Sequence, residues 1–384
     1  MKIRSAVLAV ALLSCAEPAK PPPGPPPPLE TGPHPADATD TKPPTSLPGA
    51  SPVPAPGTRT VLAEKTVDDS WDKMLVAGER LYALTDVNKW TTGPMYVPAA
   101  RLWSVPITGG ALTRHLELEG LASLAADDAA VYVAVTRDLS TMSTSRAKAP
   151  TGRVLRLPLG DGAPTDVATG ITPNVFALDG DTLWFDGFRM PKDGSKPPAA
   201  SGVKGALAFA FDEGYVYFSS GKGSGEPAKP DGKNGRVLRM PKKGGAPIVL
   251  ARGLPDDPSG LAVDATHVYV AAVAWGSPAV ENAGVVARIP KQGGDLEILA
   301  KDQVLPRAAW LSGDHVYVRS GRPGLPGAIV RVAKTGGAVE SVLTEGTLVY
   351  ATMDSTSLYF SSDGTFRKEP FERLSPAVLV RFVK

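Results

Sequence analysis

From Arg59 onward, apolar residues fall in short runs separated by turns that contain Asp, Gly and Pro. The pattern is most complete in Ser259–Ala300, SGLAVDATHVYVAAVAWGSPAVENAGVVARIPKQGGDLEILA. LAVD is a short apolar run, Asp264-Ala265-Thr266 a turn, and VYVAA a run of β-branched and aromatic residues. A polar insert follows, then VVARIP, a turn at Lys291-Gln292-Gly293-Gly294, and LEILA. Runs of this composition, bounded by turn residues, predict four antiparallel strands with short connections.

The unit recurs. Its second strand centres on an aromatic residue at Leu81-Tyr82-Ala83, Val131-Tyr132-Val133, Leu183-Trp184-Phe185, Val216-Tyr217-Phe218, Val268-Tyr269-Val270, Val316-Tyr317-Val318 and Leu358-Tyr359-Phe360. These seven copies lie roughly 46 residues apart on average, the period of a four-stranded propeller blade. A second marker runs in the same phase. The third strand ends in Arg-x-Pro at Arg156, Arg189, Arg239 and Arg288, with weaker copies at Trp103–Pro106, Arg331-Val332-Ala333 and Arg367-Lys368-Glu369-Pro370. Proline has no N–H, so it closes a strand rather than continuing a ladder. Gly-Gly follows at 109–110, 244–245, 293–294 and 336–337, as a turn with positive φ requires.

First strands such as LASLAAD, ALAFAFD, GLAVD and RAAWLSG are short and rich in small residues, which suits strands converging on an axis. A linear solenoid would show shorter, more even repeats. The fold class is therefore all-β, a β-propeller of seven four-stranded blades. Six is the alternative, because only 33 residues separate Trp184 from Tyr217. Ring closure needs a strand from one terminus in a blade begun at the other. Arg59–Ala63, RTVLA, matches the fourth strand Pro247–Ala251, PIVLA, and Ala377–Val380 competes for that role.

Composition changes the picture mainly at the N-terminus. The 384 residues are 42% hydrophobic, enough for one large or two ordinary cores. The net charge of +2 falls to about zero without Lys2 and Arg4, so the basic excess of a nucleic-acid binder is missing. MKIRSAVLAVALLSC has a basic start, an apolar run from Ala6 to Leu13 that is too short to span a bilayer, and the single Cys of the chain, Cys15. Leu12-Leu13-Ser14-Cys15 resembles the lipobox of bacterial lipoproteins. That resemblance implies cleavage before Cys15, lipidation of its thiol and acylation of its amine (with palmitate, for example), and a membrane anchor. Ala16 in place of Asp leans toward the outer membrane. An ordinary secretory signal with an incidental Cys is the rival reading. Residues 16–58 are Pro-rich and carry almost no large apolar side chains, so they cannot offset their ordering entropy. They read as a disordered, partly polyproline stalk, or else as a ligand for a Pro-binding groove. The expected organisation is a signal peptide over 1–14, a lipidated Cys and linker over 15–58, and a propeller over 59–384.

The repeats also resemble the YWTD-type propellers of lipoprotein-receptor ectodomains and related NHL-like bacterial propellers. GLAVDATHVYVAA followed by GVVARIPKQGGDLEILA carries the likeness, without the Trp-Thr-Asp of the receptor family. The resemblance implies the fold and transfers no ligand-binding residues. In such a fold the long inserts at 86–101, 136–152, 219–235, 274–284 and 320–328 share one face. Trp90, Tyr96, Arg137, Arg146, Lys222, Trp275 and Arg319 are the candidate ligand-binding residues there, a set of aromatics and cations suited to anionic or sugar-bearing ligands. The alternative is that they are solvated loop residues. The repeated Arg of the third strand reads as structural, since active sites break repeat symmetry rather than follow it. The turn aspartates, among them Asp127, Asp212, Asp264 and Asp354, suit hairpins and lack the spacing of a calcium loop. No metal or cofactor is expected.

Streptogramin lyases, which are seven-bladed with a His base, offer a fold-level resemblance. Here His34 lies in the stalk, His115 in a fourth strand, and His267 and His315 at equivalent turns. No nucleophile elbow, zinc helix, phosphate loop or Cys/His cluster is present. The expected function is a monomeric, envelope-anchored, non-catalytic propeller that binds a protein, peptide or glycan through its insert-bearing face. The alternatives are a propeller lyase or hydrolase, or a structural assembly module.

Overall fold

The computed structural model describes residues 57–65, 70–90, 96–136, 152–160, 162–173, 175–221, 232–273, 283–321, 326–345, 348–362, 366–367, 372–373 and 377–384. They form seven four-stranded antiparallel sheets. Blades 1 to 6 each use four consecutive strands. They run from Ser70–Ala77 to Thr113–Glu119, Leu121–Ala126 to Thr165–Ile171, Phe176–Asp179 to Ala199–Ala200, Ala206–Phe211 to Ile248–Leu254, Asp257–Val263 to Glu297–Gln303, and Arg307–Ser312 to Glu340–Glu345. Blade 3 is complete, and its brevity comes from the turn at Asp186-Gly187 between its second and third strands.

Blade 7 draws on both ends of the chain. Leu348–Met353, Ser357–Ser362 and Ala377–Val383 are its first three strands, and Arg59–Lys65 is its fourth. The two segments that competed in the sequence for ring closure are therefore partners, paired from Arg59↔Phe382 to Lys65↔Ala377. Arg367 is not the third-strand arginine. It sits in a separate two-stranded hairpin, Phe366–Arg367 with Glu372–Arg373, and Arg381 takes the repeat position opposite Tyr359. An insertion before the third strand displaced the marker, and Arg367-Lys368-Glu369-Pro370 resembles it by composition alone.

The core is divided among the seams. Each pair of neighbouring blades encloses its own apolar cluster, and each cluster contains one of the seven recurring second-strand aromatics: Tyr82, Tyr132, Trp184, Tyr217, Tyr269, Tyr317 or Tyr359. Alternation explains this, because odd and even residues of a strand face opposite blades. Second strands are consequently buried on both faces, as in Val131–Val135. First strands line the axis and touch their neighbours, but those of blades 6 and 7 stand further apart than those of blades 5 and 6 or of blades 7 and 1.

A third repeat signal lies at the start of the third strands, where Gly152, Gly235, Gly284 and Gly327 stand. A β-carbon at Gly284 would meet Gln303 O at 2.6 Å, and one at Gly152 would meet Ile171 O at 2.5 Å. Space rather than backbone conformation requires glycine here. Gly284→Ala is expected to cost about 1–3 kcal/mol by overpacking. Gly214→Ala, with nothing within 4 Å of its β-carbon, is the near-neutral control. Urea midpoints of the two variants test the contrast.

Candidate functional site

Charged side chains at the first-to-second strand turns form a clasp between blades. In blade 5, Asp264 Oδ1 accepts the backbone N–H of Thr266 and His267, both at 2.9 Å, and Oδ2 accepts the Tyr269 hydroxyl at 3.0 Å. Lys334 reaches the same carboxylate from blade 6 at 3.1 Å. The pattern repeats as Asp127–Lys192 at 2.9 Å, Asp179–Lys242 at 2.5 Å and Asp212–Lys291 at 2.5 Å. The third-strand arginines complete it by donating to a carbonyl of the next blade: Arg189 to Lys242 O, Arg239 to Lys291 O at 2.5 Å, Arg288 to Lys334 O at 2.7 Å and Arg381 to Ile107 O at 3.4 Å. These arginines are joints between blades.

The clasp varies around the ring: blade 7 keeps Asp354, but blade 1 has Ile107 at the lysine position. Blade 1 has Ala77 at the aspartate position, and blade 2 has Leu159, packed against the same apolar cluster, at the lysine position. Blade 6 has Ser312, whose hydroxyl oxygen accepts from Lys384 at 3.2 Å.

Burial raises the Asp212 carboxyl, but Lys291, the Tyr217 hydroxyl and two backbone N–H groups outweigh it and hold the pKa at about 2, against 3.8 ordinarily. Asp127, Asp264 and Asp354 are lowered in the same way, with backbone and side-chain donors overcoming burial. A carboxylate depressed on folding stabilises fully above its unfolded pKa and loses that contribution as pH falls through the folded value. Stability should therefore decline between about pH 4 and pH 2, with Asp212 accounting for on the order of 2 kcal/mol. Urea midpoints across that range test this, and Asp212→Asn should flatten the profile.

A cavity of about 460 Å³ opens on the axis at the end carrying these turns. First strands of three blades line it, with Ala262 and Val263, then Ala309, Trp310 and Leu311, then Met353, Asp354 and Ser355. Its lining is mixed, with Trp310, Leu311 and Met353 beside Asp354 and Ser355. Asp354 at its edge already accepts from Thr356 N, Ser357 N and the Tyr359 hydroxyl. The sequence reading missed this cavity. Its signal was Trp310, where four other first strands have Ala125, Ala177, Ala210 and Ala262 and the remaining two have Leu75 and Thr352.

Among the described residues no group of three or more His, Cys, Asp or Glu could hold a metal. His267 and His315 begin second strands, and His267 Nδ1 contacts Thr266 Oγ1 at 2.8 Å. His115 Nε2 lies 2.7 Å from Ser104 Oγ. Burial, then the Arg80 charge, lowers the pKa of His115 and favours the neutral ring. Ser104 is 1% exposed and also accepts from Arg80 Nε at 2.9 Å. It occupies the third-strand arginine position of blade 1, opposite Tyr82. The triad replaces a structural arginine and presents no open nucleophile.

Of the candidate ligand-binding residues, Arg137, Arg146, Lys222 and Trp275 lie outside the described residues. Trp90 and Tyr96 are ladder partners at the end of the long second and third strands of blade 1. Arg319 lies in the second strand of blade 6 at 7% exposure, and Nη2 donates to Leu348 O of blade 7 at 3.3 Å.

No family model matches the chain, and no curated protein matches it in sequence. Its fold is similar to solved propellers. The β-propeller domain of the Trilobed protease from Pyrococcus furiosus, which has an open velcro topology, matches with a TM-score of 0.53 at 7% identity, over 82% of this chain and 95% of that one. Pyrococcus horikoshii acylaminoacyl peptidase matches with a TM-score of 0.52 at 12% identity over 82% of this chain, which spans about half (51%) of the peptidase. At these identities the likeness is one of fold.

Proposed function

We propose that this chain is a non-catalytic binding propeller of the bacterial envelope that recognises a protein, peptide or glycan through its insert-bearing face. One observation carries the reading. The ladders between second and third strands end on the same face at Val135↔Arg153, Ser220↔Arg236, Ala272↔Val285 and Gly321↔Gly327, and the non-repeated segments join those ends. Repeated polar positions hold blades together, so recognition falls to the residues that do not repeat. A pull-down from envelope extract with the full chain, against a chain whose 137–151 and 222–231 segments are replaced by Gly-Ser linkers, tests it. Partners retained equally by both would remove the face from the argument.

Anchoring rests on the lipobox-like Leu12-Leu13-Ser14-Cys15. One acyl chain gives only reversible attachment and a second makes it stable, so a lipidated Cys15 fixes the protein at the membrane. Cys15→Ser is expected to move it from the membrane pellet to the soluble fraction, or to leave it unprocessed. Unchanged, processed protein in the pellet would refute lipidation.

A further inference from the structure

The residue two positions after the second-strand aromatic lies beneath the insert-bearing face. In blades 3, 4 and 6 it bonds to the start of the next blade. Asp186 accepts the Ala206 N–H at 3.2 Å, Ser219 donates to Pro258 O at 2.5 Å, and Arg319 donates to Leu348 O at 3.3 Å. The other blades have Leu84, Ala134, Ala271 and Ser361 there. Arg319 thus breaks the repeat by placing a full positive charge in the seam between blades 6 and 7.

That charge is poorly matched. Arg319 is 7% exposed, and among the described residues its Nε is buried without an acceptor and the 3.3 Å bond to Leu348 O is its one hydrogen bond. The ladder partner facing it on the first strand is Arg307, a like charge. Burial, then Arg307, disfavours the charged form of Arg319. A guanidinium nevertheless stays protonated in proteins, so the imbalance calls for a counter-charge.

The surrounding backbone is unusual too. Asp302, Leu305 and Ala308, with φ of 57°, 43° and 54°, are the non-glycine residues with positive φ among the described residues, and all three lie in the passage from blade 5 to Arg307 and Ala308. Ser320 Oγ and Gly321 N hold that passage by donating to Val304 O at 3.0 and 2.8 Å. Strain of this kind persists where the surroundings over-determine it, and it clusters at ligand sites.

We propose that Arg319, in the seam of blades 6 and 7 beneath the insert-bearing face, anchors a carboxylate-binding site. The guanidinium fork fits carboxylate and phosphate alike, but a carboxylate carries a single charge, whereas a phosphate would crowd a larger one against Leu348 O. The group could come from a free organic acid or from a peptide side chain or terminus. The inference deepens the binding reading, yet the two fail separately: the pull-down can succeed with Arg319 silent to carboxylates, and the reverse.

The test is the thermal midpoint of the full chain in acetate, phosphate and chloride at matched ionic strength, with calorimetric titration of acetate. Acetate is expected to raise the midpoint by about 2–4 °C over chloride. Arg319→Leu should abolish that rise and unfold no earlier than wild type in chloride, because an uncompensated buried charge has gone. Arg319→Lys, a point charge without the fork, should respond weakly. Identical wild-type midpoints with no acetate heat would overturn the proposal, and that result needs no variant to fold. So would a larger response to phosphate, or an acetate rise that survives Arg319→Leu. A short peptide acid that binds tighter than acetate, with its C-terminal amide silent, supports a peptide source. Equal binding supports a free acid.

Discussion

A chain lacking Arg59–Lys65 should lose most of its folding stability and associate through blade 7. This segment is the outermost strand of that blade and pairs along the length of Ala377–Val383. It also supplies Leu62 and Ala63, 3% and 7% exposed, to the seam between blades 7 and 1, where Trp71, Leu81, Tyr359 and Leu379 pack. Removing it takes away two to three kcal/mol of apolar burial for Leu62 alone, at about 25 cal/mol per Å². It also frees a row of backbone N–H and C=O groups along an apolar strand, a template for pairing with another chain. Urea denaturation and size-exclusion chromatography read the two effects. A monomer with an unchanged midpoint would show that the ring does not depend on its closing strand.

Asp264→Ala should be the most damaging single change in the clasp, at about 2–4 kcal/mol. It removes the acceptor for Thr266 N, His267 N and the Tyr269 hydroxyl, and it leaves Lys334 of the next blade facing Tyr269 without its carboxylate. The cost of unsatisfied, partly buried donors exceeds the net worth of the bonds that formed, which is why a turn residue on a seam matters this much. Lys334→Met should cost less, because Asp264 keeps its four other donors. It should also reduce the further effect of Asp264→Ala, a coupling that a double-mutant cycle measures. A loss below about 0.5 kcal/mol for Asp264→Ala would mean that apolar packing alone holds blades 5 and 6.

The blades were legible in the sequence because each second strand is buried on both faces and its aromatic cannot be replaced cheaply. Tyr82 through Tyr359 therefore mark seven strands at their true positions. The third strand of blade 7 was misplaced because Arg367 and Pro370 imitate a marker that depends on local composition, whereas the real strand is defined by pairing with Tyr359. The clasp was half legible. Aspartate before the aromatic and lysine after Arg-x-Pro both recur, but Asp264 and Lys334 are joined by a seam that no local pattern describes. The cavity and Arg319 depend on single departures from a repeat, a tryptophan where four blades have alanine and an arginine where no other blade has a cation. Such departures acquire meaning only once the positions have been superposed in space.

Closure by Arg59–Lys65 also sets an order of events during synthesis. Blades 1 to 6 pair strands that leave the ribosome within a few tens of residues of each other, so each can form as it emerges. The RTVLAEK strand emerges before all of them, yet its partner at Ala377–Val383 is made only after the strands of the six other blades. Until that partner emerges, the strand has no native place to go, and their joint has the longest sequence separation of the strand pairings among the described residues. Contacts of that kind form slowly and leave open edges in the meantime. The last step of folding is then the joining of the two ends of the chain, and it is the interval when this propeller is most exposed to pairing with the wrong strand.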